Sequence, residues 1–269
     1  MMAEPKIQTV QLADGTKISG YTGEFIFERI RHSHSYYECY TLEKWFLPAI
    51  RGGQCVYDIG ANLGNHSVYF ATHSKASVFS FEPMSENFKL LEKNIAQNGL
   101  ISRTKLFAFA LGEADGSAKM SPAIAGNMGS AAISDEGSVE VCVKRLDDLN
   151  LPPPDFVKID VEGYEMHVLR GMERTLRESH PILWVEIQPD HANNSETYQF
   201  LTSLGYFPTD REGSNYRFEK ITGAEQCFLQ MLSMCQQNNA EAKQELDRLK
   251  ESCSWKITAP LRRIRRIFG

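Results

Sequence analysis

Residues 56–71 read VYDIGANLGNHSVYFA: an apolar run ending in Asp58, a break marked by Gly60 and Gly64, and a restart with helical character. A strand that breaks at glycine before a helix is the opening unit of a parallel sheet, and ligands of such sheets bind beyond the carboxyl ends of the strands. The glycines supply a tight turn and room for a ligand to approach the main chain. Their spacing separates two ligand classes. A dinucleotide site needs GxGxxG, so that unpaired amides cradle a pyrophosphate. The chain has GxxxG with Asp58 directly upstream. A carboxylate there repels a pyrophosphate and attracts a cation.

Outward from this unit, short apolar runs alternate with helical patterns between residues 54 and 205, which predicts a parallel sheet with crossover helices. The expected strands are Cys55–Ile59, Val78–Phe81, Lys105–Ala110, Phe156–Ile159 and Ile182–Ile187, most of them continuously apolar, as strands covered on both faces should be. Ser85 is placed to cap a helix with Phe88, Leu91 and Ile95 on its inner face, and a second helix after Gly163 carries Val168, Leu169, Met172 and Leu176 inward. Residues 112–139, rich in Gly, Ala and Ser, read as a long loop, either functional or a plain linker. The second strand ends in Glu82, where VFSFEP sets a carboxylate to receive both hydroxyls of a ribose. Acids at this point occur in NAD sites too, so Glu82 alone says nucleoside. Asp58 and Glu82 together point to S-adenosylmethionine, whose ammonium and sulfonium are both cations. Two merely solvated strand-end acids are the plainer alternative.

The whole chain of 269 residues, 42% hydrophobic and 23% charged, is long enough for one well-buried domain with additions. It lacks a signal-like start, and no run approaches the ~18 apolar residues of a membrane span, so the cytoplasm is the expected compartment. Six scattered cysteines without CxxC spacing read as free thiols. The net charge of -5 is uneven: the last sixteen residues, SWKITAPLRRIRRIFG, carry five cations and no acid, which leaves the remainder at -10. An acidic body with a basic tip argues against nucleic acid as the main partner.

Four segments follow: an N-terminal extension over 1–50, with a turn at Asp14-Gly15 and a helix in YYECYTLEKWFLPAI; the α/β domain over 51–222; a heptad helix over 223–253; and a basic amphipathic tail over 254–269. Phe228, Leu232, Cys235, Asn239, Ala242, Leu246, Leu249 and Cys253 alternate four and three apart, the seam of a coiled coil, so residues 228–253 are expected to join copies of the chain. A helix docked on its own domain is the rival reading. Leu261, Ile264, Ile267 and Phe268 share one side of a short helix whose other side is arginine, the composition of an interfacial anchor or of a disordered basic tail.

A third cluster lies in PPDFVKIDVEGYEMHVLRGM, where a strand delivers Lys158, Asp160, Glu162 and Glu165. In order, VYDIGANLGNHS, FSFEP, FALGEADG, RLDDL and KIDVEGYEMHVLRG resemble the FkbM family of methyltransferases over roughly residues 36–210. The resemblance implies a Rossmann-like class I methyltransferase fold with a sheet of about seven strands, and S-adenosylmethionine as donor. Carried over by position, it implies that Asp58, Gly60, Asn62 and Gly64 surround the methionine part, Glu82 the ribose and Ala110 the adenine. It sets Asp160 beside the transferable methyl, and Asn127 and Gly129 on the acceptor side.

Methyl transfer to a hydroxyl is an in-line displacement that asks a protein for alignment, exclusion of water and removal of one proton. Asp160, Glu162 and His66 are the candidate bases, and Glu186 in LWVEIQP is another strand-end acid near the acceptor. Asp160 and Glu162, two apart on an extended backbone, point to one side. Whether they take a proton or share a divalent cation with an acceptor is left open. The heptads and basic tail resemble the C-terminal ends of bacterial enzymes that assemble surface polysaccharides. That likeness implies a sugar hydroxyl as acceptor, with the tail at the inner membrane or an assembly complex. The alternatives are a secondary-metabolite methyltransferase, an NAD-dependent oxidoreductase, disfavoured by the missing GxGxxG, and a non-catalytic scaffold working through its coiled coil.

Overall fold

The computed structural model describes residues 6–50, 54–121, 127, 129, 131–134, 136–187 and 194–221; the heptad segment and the basic tail lie outside them. The N-terminal part forms β1 (Ile7–Gln11), β2 (Lys17–Tyr21) and α1 (Phe25–Ser33). A continuous helical stretch follows: α2 (Cys39–Thr41), a π-helical turn (Leu42–Phe46) and α3 (Leu47–Ala49). Then come β3 (Cys55–Ile59), α4 (Asn65–His73), β4 (Ser77–Phe81), α5 (Ser85–Gln97), β5 (Thr104–Phe107), β6 (Ala110–Gly112), β7 (Gly116–Met120) and β8 (Val139–Arg145). The last third holds β9 (Phe156–Ile159), α6 (Glu165–Gly171), α7 (Glu173–Ser179), β10 (Ile182–Glu186), α8 (Asn194–Ser203), β11 (Tyr206–Glu212) and β12 (Asn215–Lys220).

Seven strands form one sheet in the order β11-β12-β10-β9-β3-β4-β5. From β10 to β5 every pairing is parallel, and β12 runs antiparallel to both its neighbours. This is the mostly parallel sheet expected from the alternating pattern, in the Rossmann-like form that the family resemblance implies. Successive residues of the central strands feed opposite faces: Val56, Val78, Phe156 and Trp184 pack with α4 and α5, whereas Tyr57, Ile59, Val157 and Val185 pack with α6 and α7. Each such buried side chain contributes on the order of 1.5–3 kcal/mol, so a slip of one residue in register would expose one core and lose it. The chain runs outward from β3 to β5 and returns to β9 on the other side of β3, which opens a crevice between the ends of β3 and β9.

Four expectations need correction. Ser85 does not cap α5: the cap position is Met84, with no side-chain cap bond, and the Met84 carbonyl accepts from Phe88 N at 2.8 Å. The strand expected over Lys105–Ala110 stops at Phe107, and Ala110 instead opens β6, which pairs with β8 in a separate three-stranded sheet. The loop expected over 112–139 contains β7, antiparallel to β8; its small residues give no apolar alternation to read. The helix after Gly163 is two helices. Gly171 lies against Gly112, where an added Cβ would stand 2.0 Å from the carbonyl oxygen, and Asp147, from RLDDL, caps the new start by accepting from Arg174 N at 2.7 Å and Thr175 N at 3.0 Å.

The β1–β2 hairpin stays outside the main sheet and is bound to α5 by side-chain amides. Asn94 bonds both main-chain groups of Ser19, its Oδ1 accepting at 2.7 Å and its Nδ2 donating at 2.9 Å. Asn98 does the same for Lys17, at 2.9 Å and 2.7 Å. Two asparagines thus replace the ladder of a neighbouring strand.

Candidate active site

A cavity of about 190 Å³ opens at the carboxyl ends of β3, β4, β9 and β10. Its first wall is the turn between β3 and α4, where Gly60, Asn62 and Gly64 all adopt positive φ, at 81°, 51° and 91°. The amides of Gly60 and Ala61 both donate to the Phe81 carbonyl at 3.0 Å, which draws the turn over the end of β4. Gly60 is required by crowding as well as by φ: a Cβ would stand 1.8 Å from the Asp160 carbonyl oxygen. Gly64 does not line the cavity. It begins α4, and a Cβ there would meet Leu91.

Glu82, 5% exposed, locks this wall. Its Oε2 accepts from Asn62 N and its Oε1 from Met84 N, both at 2.8 Å, and Asn87 bonds it as well. Burial pushes its pKa up to about 7 against the pull of these donors. A carboxylate has roughly four acceptor positions, so one remains for a ligand hydroxyl. Beyond Glu82 the lining turns apolar, with Met84, Phe109, Ala110, Met120 and Ile133. Asn127 and Gly129 also line the cavity, with Gly129 against Asn62 and Ile26.

Asp58 takes a different place from the one expected. It is fully buried beneath the wall and does not line the cavity. Ser67 Oγ donates to its Oδ2 at 2.5 Å, while its Oδ1 has no hydrogen bond and faces Lys158 Nζ at 3.7 Å. Lys158, 3% exposed, also donates to Asp160 Oδ2 at 3.0 Å. Burial alone would lower the lysine pKa, but Asp160 and Asp58 outweigh it and hold the ammonium above its ordinary range. Asp58 therefore acts on the cavity through Lys158, as one of two counter-charges to a buried cation.

The opposite wall is acidic. Oxygens of Asp160, Glu162 and Glu186 lie within 4.8 Å of one another. Asp160 and Glu186 are placed to share a proton. Burial opposes ionisation of Asp160, but the Lys158 charge prevails and lowers its pKa. Burial and then the Asp160 charge push Glu186 up to about 8, although Ser214 Oγ donates to it at 3.0 Å. The pair thus carries one proton at neutral pH, held on Glu186. Glu162 reaches the cluster from a left-handed residue, φ 52°, rather than from the extended backbone expected. Glu165, and not Glu162, caps the turn into α6, accepting from Gly163 N at 3.0 Å. The three carboxylates have the separation of a divalent-cation site, and Lys158 Nζ already stands 3.0 Å from one Asp160 oxygen.

His66 lines the cavity from α4, its Nε2 3.2 Å from Glu38 Oε2. Glu38 and Tyr37 are lining residues that sequence reasoning missed. They arrive because Asn65 holds the Tyr37 main chain, accepting from its amide at 2.9 Å and donating to its carbonyl at 3.0 Å. No spacing within residues 36–66 announces such a tether.

Comparison with known proteins gives the family. Residues 58–208, more than half of the chain, match the methyltransferase FkbM domain. A hexuronic acid methyltransferase, AglP, of Haloferax volcanii is 28% identical over 180 residues, covering 60% of this chain and 69% of that one. Methyltransferase sdnD of Sordaria araneosa is 26% identical over 207 residues, covering 61% and 76%. Among solved structures, an FkbM methyltransferase from Methylobacillus flagellatus superposes with a TM-score of 0.49 at 19% identity, over 62% of this chain and 43% of that longer one.

Proposed function

Because the chain belongs to the FkbM family of S-adenosylmethionine-dependent methyltransferases, we propose that it transfers a methyl group to a hydroxyl of a sugar, in the assembly of a glycan. S-adenosylmethionine supplies, when bound, a methyl carbon activated by a sulfonium. Glu82 would receive a ribose hydroxyl, the Gly60–Asn62 main chain would hold the methionine part, and Ala110 with Phe109 and Met84 would shelter the adenine. Asp160, Glu162 and Glu186 offer negative charge to a cationic donor. The observation that carries the reading is the Asp160–Glu186 pair in the cavity wall: an ionised Asp160 oxygen, held so by Lys158, would take the acceptor's hydroxyl proton. His66, paired with Glu38, faces the same space and orients the acceptor. Closing an acceptor over the pair excludes water, and a dry site favours a step in which charge is lost. The sugar acceptor rests on the hexuronic acid methyltransferase among the relatives.

Calorimetric titration with S-adenosylmethionine tests the donor half. Wild type is expected to bind, and Glu82→Ala to bind about 1–3 kcal/mol more weakly through loss of hydrogen bonds to the ribose. Unchanged affinity in the variant would overturn the placement. Transfer of a labelled methyl to a panel of nucleotide sugars and secondary metabolites tests the acceptor half, and labelling confined to the metabolites would refute the sugar reading.

A further inference from the structure

At the outer lip of the cavity, α1 carries two side chains with no part in the chemistry above. Phe25 lines the cavity with 43% of its surface exposed, and Tyr37 stands edge-on to it, ring centres 6.2 Å apart. One turn along, the Arg29 guanidinium lies 5.1 Å from the Phe25 ring centre. Arg29 has no carboxylate partner among the described residues, since its neighbour Glu28 is engaged by Arg31 at 2.5 Å and faces His32 at 3.5 Å. Tyr37 bridges the lip and the interior: its hydroxyl feels Arg29 together with Glu38, Asp160 and Glu186.

The distribution of charge gives this lip a direction. Glu38, Glu82, Asp160, Glu162 and Glu186 line the cavity, and the one lysine that lines it is engaged by Asp58 and Asp160. A cationic donor suits such an interior. An anionic acceptor does not, unless its charge stays outside, where Arg29, in an adjoining depression shared with Phe25, stands against the Phe25 ring without a carboxylate partner among the described residues. A guanidinium binds carboxylate or phosphate through two parallel hydrogen bonds. An exposed aromatic face offers apolar surface to a ring sugar.

We propose that Phe25, Tyr37 and Arg29 form an acceptor subsite for an anionic sugar, with the sugar ring on Phe25 and its carboxylate or phosphate on Arg29. A hydroxyl of the same sugar then projects past Tyr37 towards Asp160. This rests on the sugar reading above and narrows it to a charge class.

The test is titration of the full chain, saturated with S-adenosylhomocysteine, with methyl β-D-glucuronide, glucose 1-phosphate and methyl β-D-glucoside. At least one anion is expected to bind about 10-fold more tightly than the neutral glucoside, the scale of one charge-assisted pair, and whichever is tighter identifies carboxylate or phosphate. Arg29→Gln should remove the advantage without weakening the glucoside, and Phe25→Ala should weaken all three. Both side chains are exposed, so neither variant threatens the fold. Equal binding of the three probes, or an advantage that survives Arg29→Gln, would overturn the subsite and leave the sugar reading standing. Binding of none would overturn both.

Discussion

Where the cavity meets β3 and β4 its wall is main chain, whereas at β9 and β10 it is side-chain charge. The first wall is fixed by left-handed residues and by amides that satisfy Phe81 and Glu82. Its shape leaves little to adjust, as suits a ligand that is the same in every turnover. The second is held by Lys158 among carboxylates, with a proton shared between two of them. Charges can be moved by single substitutions without rebuilding a turn, so under the proposed function this wall could change its acceptor while the donor stays. The two should therefore break in different ways.

The largest effect is expected from Lys158→Met, which strands Asp58 and Asp160 without their counter-charge. Removing one partner of a buried ionic group destabilises by about 3–5 kcal/mol, read as a shift in urea midpoint. The double variant with Asp58→Asn should recover part of the loss, and failure to do so would mean that packing, not charge, is the cause. Gly60→Ala comes next, at about 3 kcal/mol, because the new Cβ meets main chain and the residue keeps a positive φ. Gly64→Ala should lose less, since its obstacle is the end of the Leu91 side chain. Equal losses would remove the distinction between a turn pressed against β9 and one that merely starts a helix.

The smallest effect is in pH dependence. Glu186 is raised from an ordinary value near 4.5 to about 8, and Glu82 to about 7. Between these limits the unfolded chain has lost protons that the folded one retains, so stability falls as pH rises from about 4.5 towards 8. Glu186→Gln should flatten the fall most between pH 7 and 8, above the midpoint of Glu82. An unchanged slope there would show that the second wall does not hold the proton assigned to it.

The sheet was legible where burial on both faces left a run apolar but for one charged residue, as in Cys55–Ile59 and Phe156–Ile159. It was illegible in β7, where GSAKM has no apolar alternation and pairing is decided by β8, some twenty residues on. In the site, Asp58 was legible as an acid at a strand end. Its partner was not, because the approach of Lys158 depends on β9 returning beside β3. The shared proton has the same origin: Asp160 and Glu186 belong to separate motifs that meet when β10 pairs with β9. Tyr37 and Glu38 left no trace, since what delivers them is one asparagine across a gap of 28 residues.

The hairpin clasped by Asn94 and Asn98 bears on the order of assembly. Its partners lie 75 and 81 residues downstream, so the hairpin cannot dock until the helix after β4 has been made and has formed. Contacts spanning such distances in sequence come late, because the loop between them must close first. The hairpin is thus made before the helix that holds it and is among the last parts to settle, a buckle closed over a sheet that has already begun to fold behind it.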